Sequence, residues 1–174
     1  MSAVQYDWKW SDKYLPLIRK IVGPYLLKQS ELSIDRHEAT DLMLLTGRDL
    51  SIACRVRRPG FEKYASHLTV RSKRPNSTQL TEYEKIVSGF GDLYFLAFAA
   101  KSNEPSFSSW YLISLNAFRA HLITNPSRII QGEKVNQDGT VFRWYDLRSF
   151  PARPALLVAS SNSNPAEALT RACS

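Results

Sequence analysis

Residues 38–58 read EATDLMLLTGRDLSIACRVRR, and the fold turns on how this stretch is read. Two apolar runs, Asp41–Leu45 and Leu50–Arg57, flank a tight turn at Thr46, Gly47 and Arg48, a pattern that predicts a strand hairpin. Asp41 opens the first run, and Arg55, Arg57 and Arg58 close the second. Strand side chains alternate with period two, so Ala53, Arg55 and Arg57 share one face. The hairpin is expected to be greasy along its length and charged at its end.

Upstream, Ser11 or Asp12 can cap a helix whose apolar face is Leu15, Leu17, Ile18, Ile21 and Val22. Gly23-Pro24 is expected to break or kink it. Downstream, Pro59-Gly60 marks a loop and Leu68–Arg71 a short strand. Thr81 followed by Glu84 has the spacing of a capping box and predicts a short helix over Glu82–Ser88. Asp92–Ala100 (DLYFLAFAA) is too continuously apolar for a sheet edge and belongs at the centre, covered on both faces. Trp110–Leu115 reads as a strand and Asn116–Ile123 as a helix, capped by Ser114 or Asn116. Ile129–Gln131 and Val141–Asp146 form a late strand pair around Gln137-Asp138-Gly139, and Leu156–Ala159 is the last ordered element. The fold class is therefore α/β, with a mixed sheet sandwiched by helices. A single domain over residues 1–159 is expected, followed by a flexible tail over 160–174.

The 174 residues are 44% hydrophobic and 22% charged, as in ordinary globular proteins. No apolar run approaches the roughly 18–20 residues of a membrane span, and MSAVQYDWKW has no signal-peptide core. Cys54 and Cys173 do not make a disulfide framework, which favours a reducing, cytoplasmic compartment. The net charge of +7 and pI near 9.5 point to a polyanionic partner, DNA or RNA.

Several chemistries find no motif. His37, His67 and His121 lack the spacing of a zinc site, no nucleophile elbow occurs, and Gly89-Phe90-Gly91-Asp92 follows a helix where a phosphate loop would precede one. What remains is a set of acids and bases: Asp35, Glu38, Asp41, Asp49, Arg55, Arg57, Arg71, Glu82 and Lys85. Hard oxygen ligands for magnesium beside a cation are what phosphodiester cleavage needs. Arg55 and Arg71 lie inside apolar strands, where a charge must be paired or line a cleft.

The pair TDLMLL and DLSIACRVRR resembles the signature of the PD-(D/E)xK nuclease superfamily, and the layout is similar to that of small, mostly uncharacterised phage or prophage proteins. Asp41 falls at that family's aspartate, with Thr40 in place of its proline. Ala53 falls at the glutamate and Arg55 at the lysine. The resemblance implies a restriction-endonuclease-like core with added C-terminal strands. It also implies magnesium on Asp41 and Glu82, and catalysis by Asp41, Glu82 and Lys85. Alanine holds no metal and arginine is no base, so functions would have migrated to Glu82 or Lys85. In the alternative register Asp49 opens the key strand, with Arg71 and Lys73 on the next.

Two readings follow. The first is a nuclease-fold protein that binds nucleic acid through Arg55, Arg57, Arg58, Arg71, Lys73 and Arg74, with weak or lost metal-dependent cleavage. The second is a non-enzymatic phage accessory protein that inhibits a host defence complex, of anti-CRISPR or anti-restriction type. There Trp8, Trp10, Trp110, Trp144 and Tyr145 would join the arginines in a protein interface.

Overall fold

A computed structural model of the chain describes residues 10, 12–29, 42–44 and 50–162. Its elements are helix α1 (Leu15–Leu26), strands β1 (Leu27–Gln29), β2 (Leu42–Leu44), β3 (Ile52–Arg57) and β4 (His67–Lys73), and helix α2 (Glu82–Val87). They continue with β5 (Leu93–Ala99), β6 (Phe107–Ser114), helix α3 (Leu115–Thr124), β7 (Gln131–Val135), β8 (Val141–Asp146) and β9 (Leu157–Ser160). The fold is mixed α/β.

Strand β5 is the centre, and the composition of its sequence explains why. Tyr94 through Ala99 are all fully buried, so both faces of the strand are covered. It pairs in parallel with β3 and antiparallel with β6, and β9 adds to β6, giving a four-stranded mixed sheet in the order β3-β5-β6-β9. On one face, Phe95, Ala97, Ala99, Val56 and Leu112 pack against Tyr14, Ile18, Val22 and Tyr25 at the start of and along α1. On the other, Tyr94, Leu96, Phe98 and Ile113 meet Leu68, Val70, Ile86, Phe118 and Tyr145. That second face is covered by α2, α3 and an antiparallel sheet in the order β4-β8-β7. The expected single sheet between helices is thus replaced by a helix, a sheet, and a third layer that is itself partly sheet.

The predicted hairpin is corrected. β2 pairs antiparallel with β1, and β3 pairs with β5 across a crossover that contains β4 and α2. Ile52, Cys54 and Val56 interleave with Arg55 and Arg57, so one face of β3 is apolar enough to join the sheet centre. That burial outweighs a local turn with a short β2. Of the break or kink expected at Gly23-Pro24, the break is corrected, since α1 runs through Pro24 to Leu26. Pro24 removes an amide bond only in the last turn. Tyr25 beyond it is buried and meets Trp110 with ring centroids 5.7 Å apart.

The end signals of the two later helices are where the residue types place them. Thr81 and Glu84 form a reciprocal capping box at the start of α2. Ser114 caps α3, accepting from the Ala117 amide at 3.2 Å. Of the tail expected over 160–174, Ser160 instead closes β9, paired with Tyr111, and residues 163–174 lie outside the described residues. No described helix is long and apolar enough to cross a membrane.

Candidate functional site

Alternation along β3 turns Val56 into the core and sends Ala53, Arg55 and Arg57 to the opposite face, toward the second sheet. The capping box at Thr81 starts α2 so that Glu82 stands in its first turn, beside β4. Glu82 then joins three elements. Its Oε2 accepts from Arg55 Nη2 at 2.6 Å and from the Arg71 backbone N–H at 3.1 Å. Its Oε1 accepts from the Tyr94 hydroxyl at 2.7 Å. Arg55 Nη1 donates to the Thr69 carbonyl at 2.8 Å, so this guanidinium ties β3 to both β4 and α2.

Arg55, Glu82 and Tyr94 line a cleft of 510 Å³, in which Arg71, Arg74 and Lys85 complete the polar wall and Ala53 also lies. Among the described residues, four cationic side chains (Arg55, Arg71, Arg74, Lys85) line it beside one carboxylate, Glu82. Burial holds the Arg71 guanidinium below its ordinary pKa, and Arg74 and Arg55 press it further down. Arg71 Nε is buried and finds no acceptor among the described residues. A guanidinium under like-charge pressure, with an N–H lacking an acceptor beside a cleft, is relieved by an anion. Tyr94 is buried completely, and its hydroxyl is pushed well above the ordinary tyrosine range, first by burial and then by Glu82. It therefore acts as a neutral donor that orients Glu82.

The sequence-predicted residues divide. Arg55, Arg71, Arg74, Glu82 and Lys85 line the same cleft. Arg57 lies one cavity away, its guanidinium 5.7 Å from the Phe61 ring and held below its ordinary pKa by burial and by Arg55. Arg58 sits 5.4 Å from the Trp10 ring, on the side of α1. Lys73 lines a smaller depression of 230 Å³ shared with Arg74. The six basic residues thus do not form a single rim. Asp41 and Asp49 lie outside the described residues.

Among the described residues, the surroundings of Glu82 do not match a magnesium site, and Asp41, the other expected ligand, lies outside them. Both Glu82 oxygens are engaged by Arg55, Arg71 and Tyr94, and Ala53 brings no donor atom where the resemblance expects an acid. No group of three or more His, Cys, Asp or Glu side chains converges among the described residues. His121 is a core histidine, buried in α3 with Nε2 2.7 Å from the Pro154 carbonyl. Of the aromatic set, Tyr145 is fully buried and Trp110 packs against the α1 side of the sheet, while Trp144 lines the cavity that holds Arg57. No protein-family model matches the chain, and no curated protein or solved structure matches it either.

Proposed function

We propose that the protein binds nucleic acid and holds a backbone phosphate in the Arg55–Arg71–Arg74–Lys85 cleft, with metal-dependent phosphodiester cleavage weak or lost. The observation that carries this reading is Arg71, whose Nε is buried without an acceptor among the described residues while Arg74 and Arg55 crowd it electrostatically. A phosphate oxygen supplies both the missing acceptor and the opposite charge. The excess of four cations over one carboxylate, within a chain of net charge +7, favours a polyanion over a neutral ligand. The fold reading that goes with it is a restriction-endonuclease-like core, supported by the parallel β3–β5 pairing around β4 and α2. Inhibition of a host defence complex by an aromatic surface is the weaker reading, because Tyr145 is in the core.

Binding should weaken with salt by about 0.7–0.9 in log affinity against log salt for each phosphate neutralised. Arg74, which is exposed at the cleft, tests this without disturbing the core. Arg74→Ala should flatten the slope for a random duplex by about 0.7–0.9. Absence of binding at low salt would end the proposal. Robust turnover with magnesium or manganese, lost in Asp41→Ala, would overturn the part concerning cleavage.

A further inference from the structure

Leu68, Val70 and Tyr145 are fully buried in the core, so alternation along β4 and β8 turns His67, Thr69, Phe142 and Trp144 to the other face of the three-stranded sheet. There, with Phe61 and Tyr64, they wall a cavity of 560 Å³. The rings follow one another without a break. His67 stacks on Trp144 at 4.9 Å and 22°, Tyr64 is 5.9 Å from His67, and Phe61 is 6.4 Å from Tyr64. The Trp144 indole lies over Gly132, where a β-carbon would come within 2.7 Å of the ring, so the missing side chain makes its seat. Phe61 and Tyr64 remain about two-fifths exposed.

Among the described residues, the charged lining of this cavity is Arg57 and Lys134, with no carboxylate. Residues of the cationic cleft reach its lining. The Arg71 guanidinium is 5.4 Å from the Phe142 ring, and Arg55 bonds the Thr69 carbonyl. An aromatic surface and a phosphate site therefore adjoin across Arg71 and Thr69. Stacking needs bases whose faces are open, a condition that a single strand meets and an intact duplex does not.

We propose that this aromatic cavity takes the unpaired bases of a single-stranded nucleic acid whose adjoining phosphate lies in the Arg71 cleft. The proposal deepens the nucleic-acid reading above and rests on it. Arg57 and Lys134 neutralise the strand as it leaves the cleft, and the rings grip bases without reading their edges, so little sequence preference is expected.

The test uses the full chain and labelled strands of about ten nucleotides, a length within the range such sites cover. Affinities are measured for oligothymidylate, oligouridylate, a base-free deoxyribose phosphate chain of equal length, and a duplex. The quantity that matters is the ratio of single-strand to base-free affinity. It should exceed one clearly for at least one of the two sugars, and the tighter strand identifies the ligand as DNA or RNA. Phe61→Ala and Tyr64→Ala, both at exposed rings and checked by circular dichroism, should lower the ratio. Trp144→Ala should lower it by about 5- to 150-fold if one base is unstacked, and Trp144→Phe should retain most of it. Equal affinity for the base-free chain and both single strands would overturn the inference while leaving phosphate binding intact. A ratio unmoved by all three alanine variants would overturn it too. Failure of every strand, duplex and base-free chain included, would instead remove the nucleic-acid reading on which it rests.

Discussion

Replacing Glu82 by alanine takes the acceptor from three donors at once: the Arg55 guanidinium, the Arg71 amide and the Tyr94 hydroxyl. A buried donor left unsatisfied costs about 1–3 kcal/mol. Tyr94 is completely buried and carries that cost in full. The Arg55 and Glu82 side chains are 24% and 26% exposed, so water partly replaces their contact and the ion pair counts for less than a fully buried one. Together these give a destabilisation of about 2–4 kcal/mol. At this chain length that is a fall in Tm of roughly 5–15 °C. Denaturant unfolding measures the loss, and a double-mutant cycle with Arg55→Ala should show coupling of about 1–2 kcal/mol. The same substitution leaves the cleft with four cations and no carboxylate. Duplex affinity at low salt should therefore rise, with the salt slope steeper by about 0.7–0.9 if Arg55 turns to phosphate. A loss below about 0.5 kcal/mol with an additive cycle would show that Glu82 is a solvated surface charge, and the reasoning would fail. A stable variant that lost affinity would refute the electrostatic part.

Three further outcomes are expected. Gly132→Ala forces the Trp144 indole off its seat, because the new β-carbon would stand 2.7 Å from the ring. Stability should drop by about 1–3 kcal/mol with a changed tryptophan emission, and an unchanged spectrum would contradict the seat. Thr81→Ala removes the capping-box hydroxyl of α2 and should cost about 1 kcal/mol in thermal unfolding, whereas Thr81→Ser should be nearly neutral. Hydrogen bonds from Arg148 hold the Asp146 carboxyl below its ordinary pKa of 3.8. A depressed carboxylate contributes stability that is present above the unfolded value and lost as pH falls through the lower folded one. Unfolding should therefore ease below pH 3.8, and Asp146→Asn should make that acid limb shallower.

Local signals carried the parts of the fold that local physics decides. DLYFLAFAA could only be central, and Thr81 with Glu84 and Ser114 with α3 are caps because a hydroxyl meets an orphan amide within one turn. Thr46–Gly47–Arg48 is only a local turn signal, whereas the partner of β3 is set by the burial of Val56 against Ala97 and Phe95, some forty residues on. Pro24 signals a break or kink, yet the helix continues through it, and the buried ring of Tyr25 holds the last turn of α1 in place. In the site, charges embedded in apolar strands imply pairing or a cleft, and Arg55 is paired with Glu82 while both Arg55 and Arg71 line the cleft. The role of Tyr94 was hidden, since a tyrosine in an apolar run reads as core until its hydroxyl is seen on Glu82. The aromatic cavity draws on Phe61, Tyr64, His67, Phe142 and Trp144 from two distant stretches. The one available clue was the alternation of HLTVRSK and VFRWYD, which leaves aromatic rings on the face away from the core.

The bonds that Arg55 and Glu82 make to β4 have a bearing on how the molecule keeps to itself. β4 is the terminal strand of its sheet, and the Thr69 carbonyl and Arg71 amide, two residues apart, are the groups that an incoming strand from another molecule would use. A guanidinium and a carboxylate occupy them instead, imitating the donor and acceptor of a neighbouring backbone while offering no further ladder. Sheets exposed in this way are templates for aggregation unless something blunts them. Here the blunting is done by the same ion pair that borders the cationic cleft. An anion bound there as proposed, if it drew Arg55 away, would free the Thr69 carbonyl for an incoming strand while Glu82 still held the Arg71 amide.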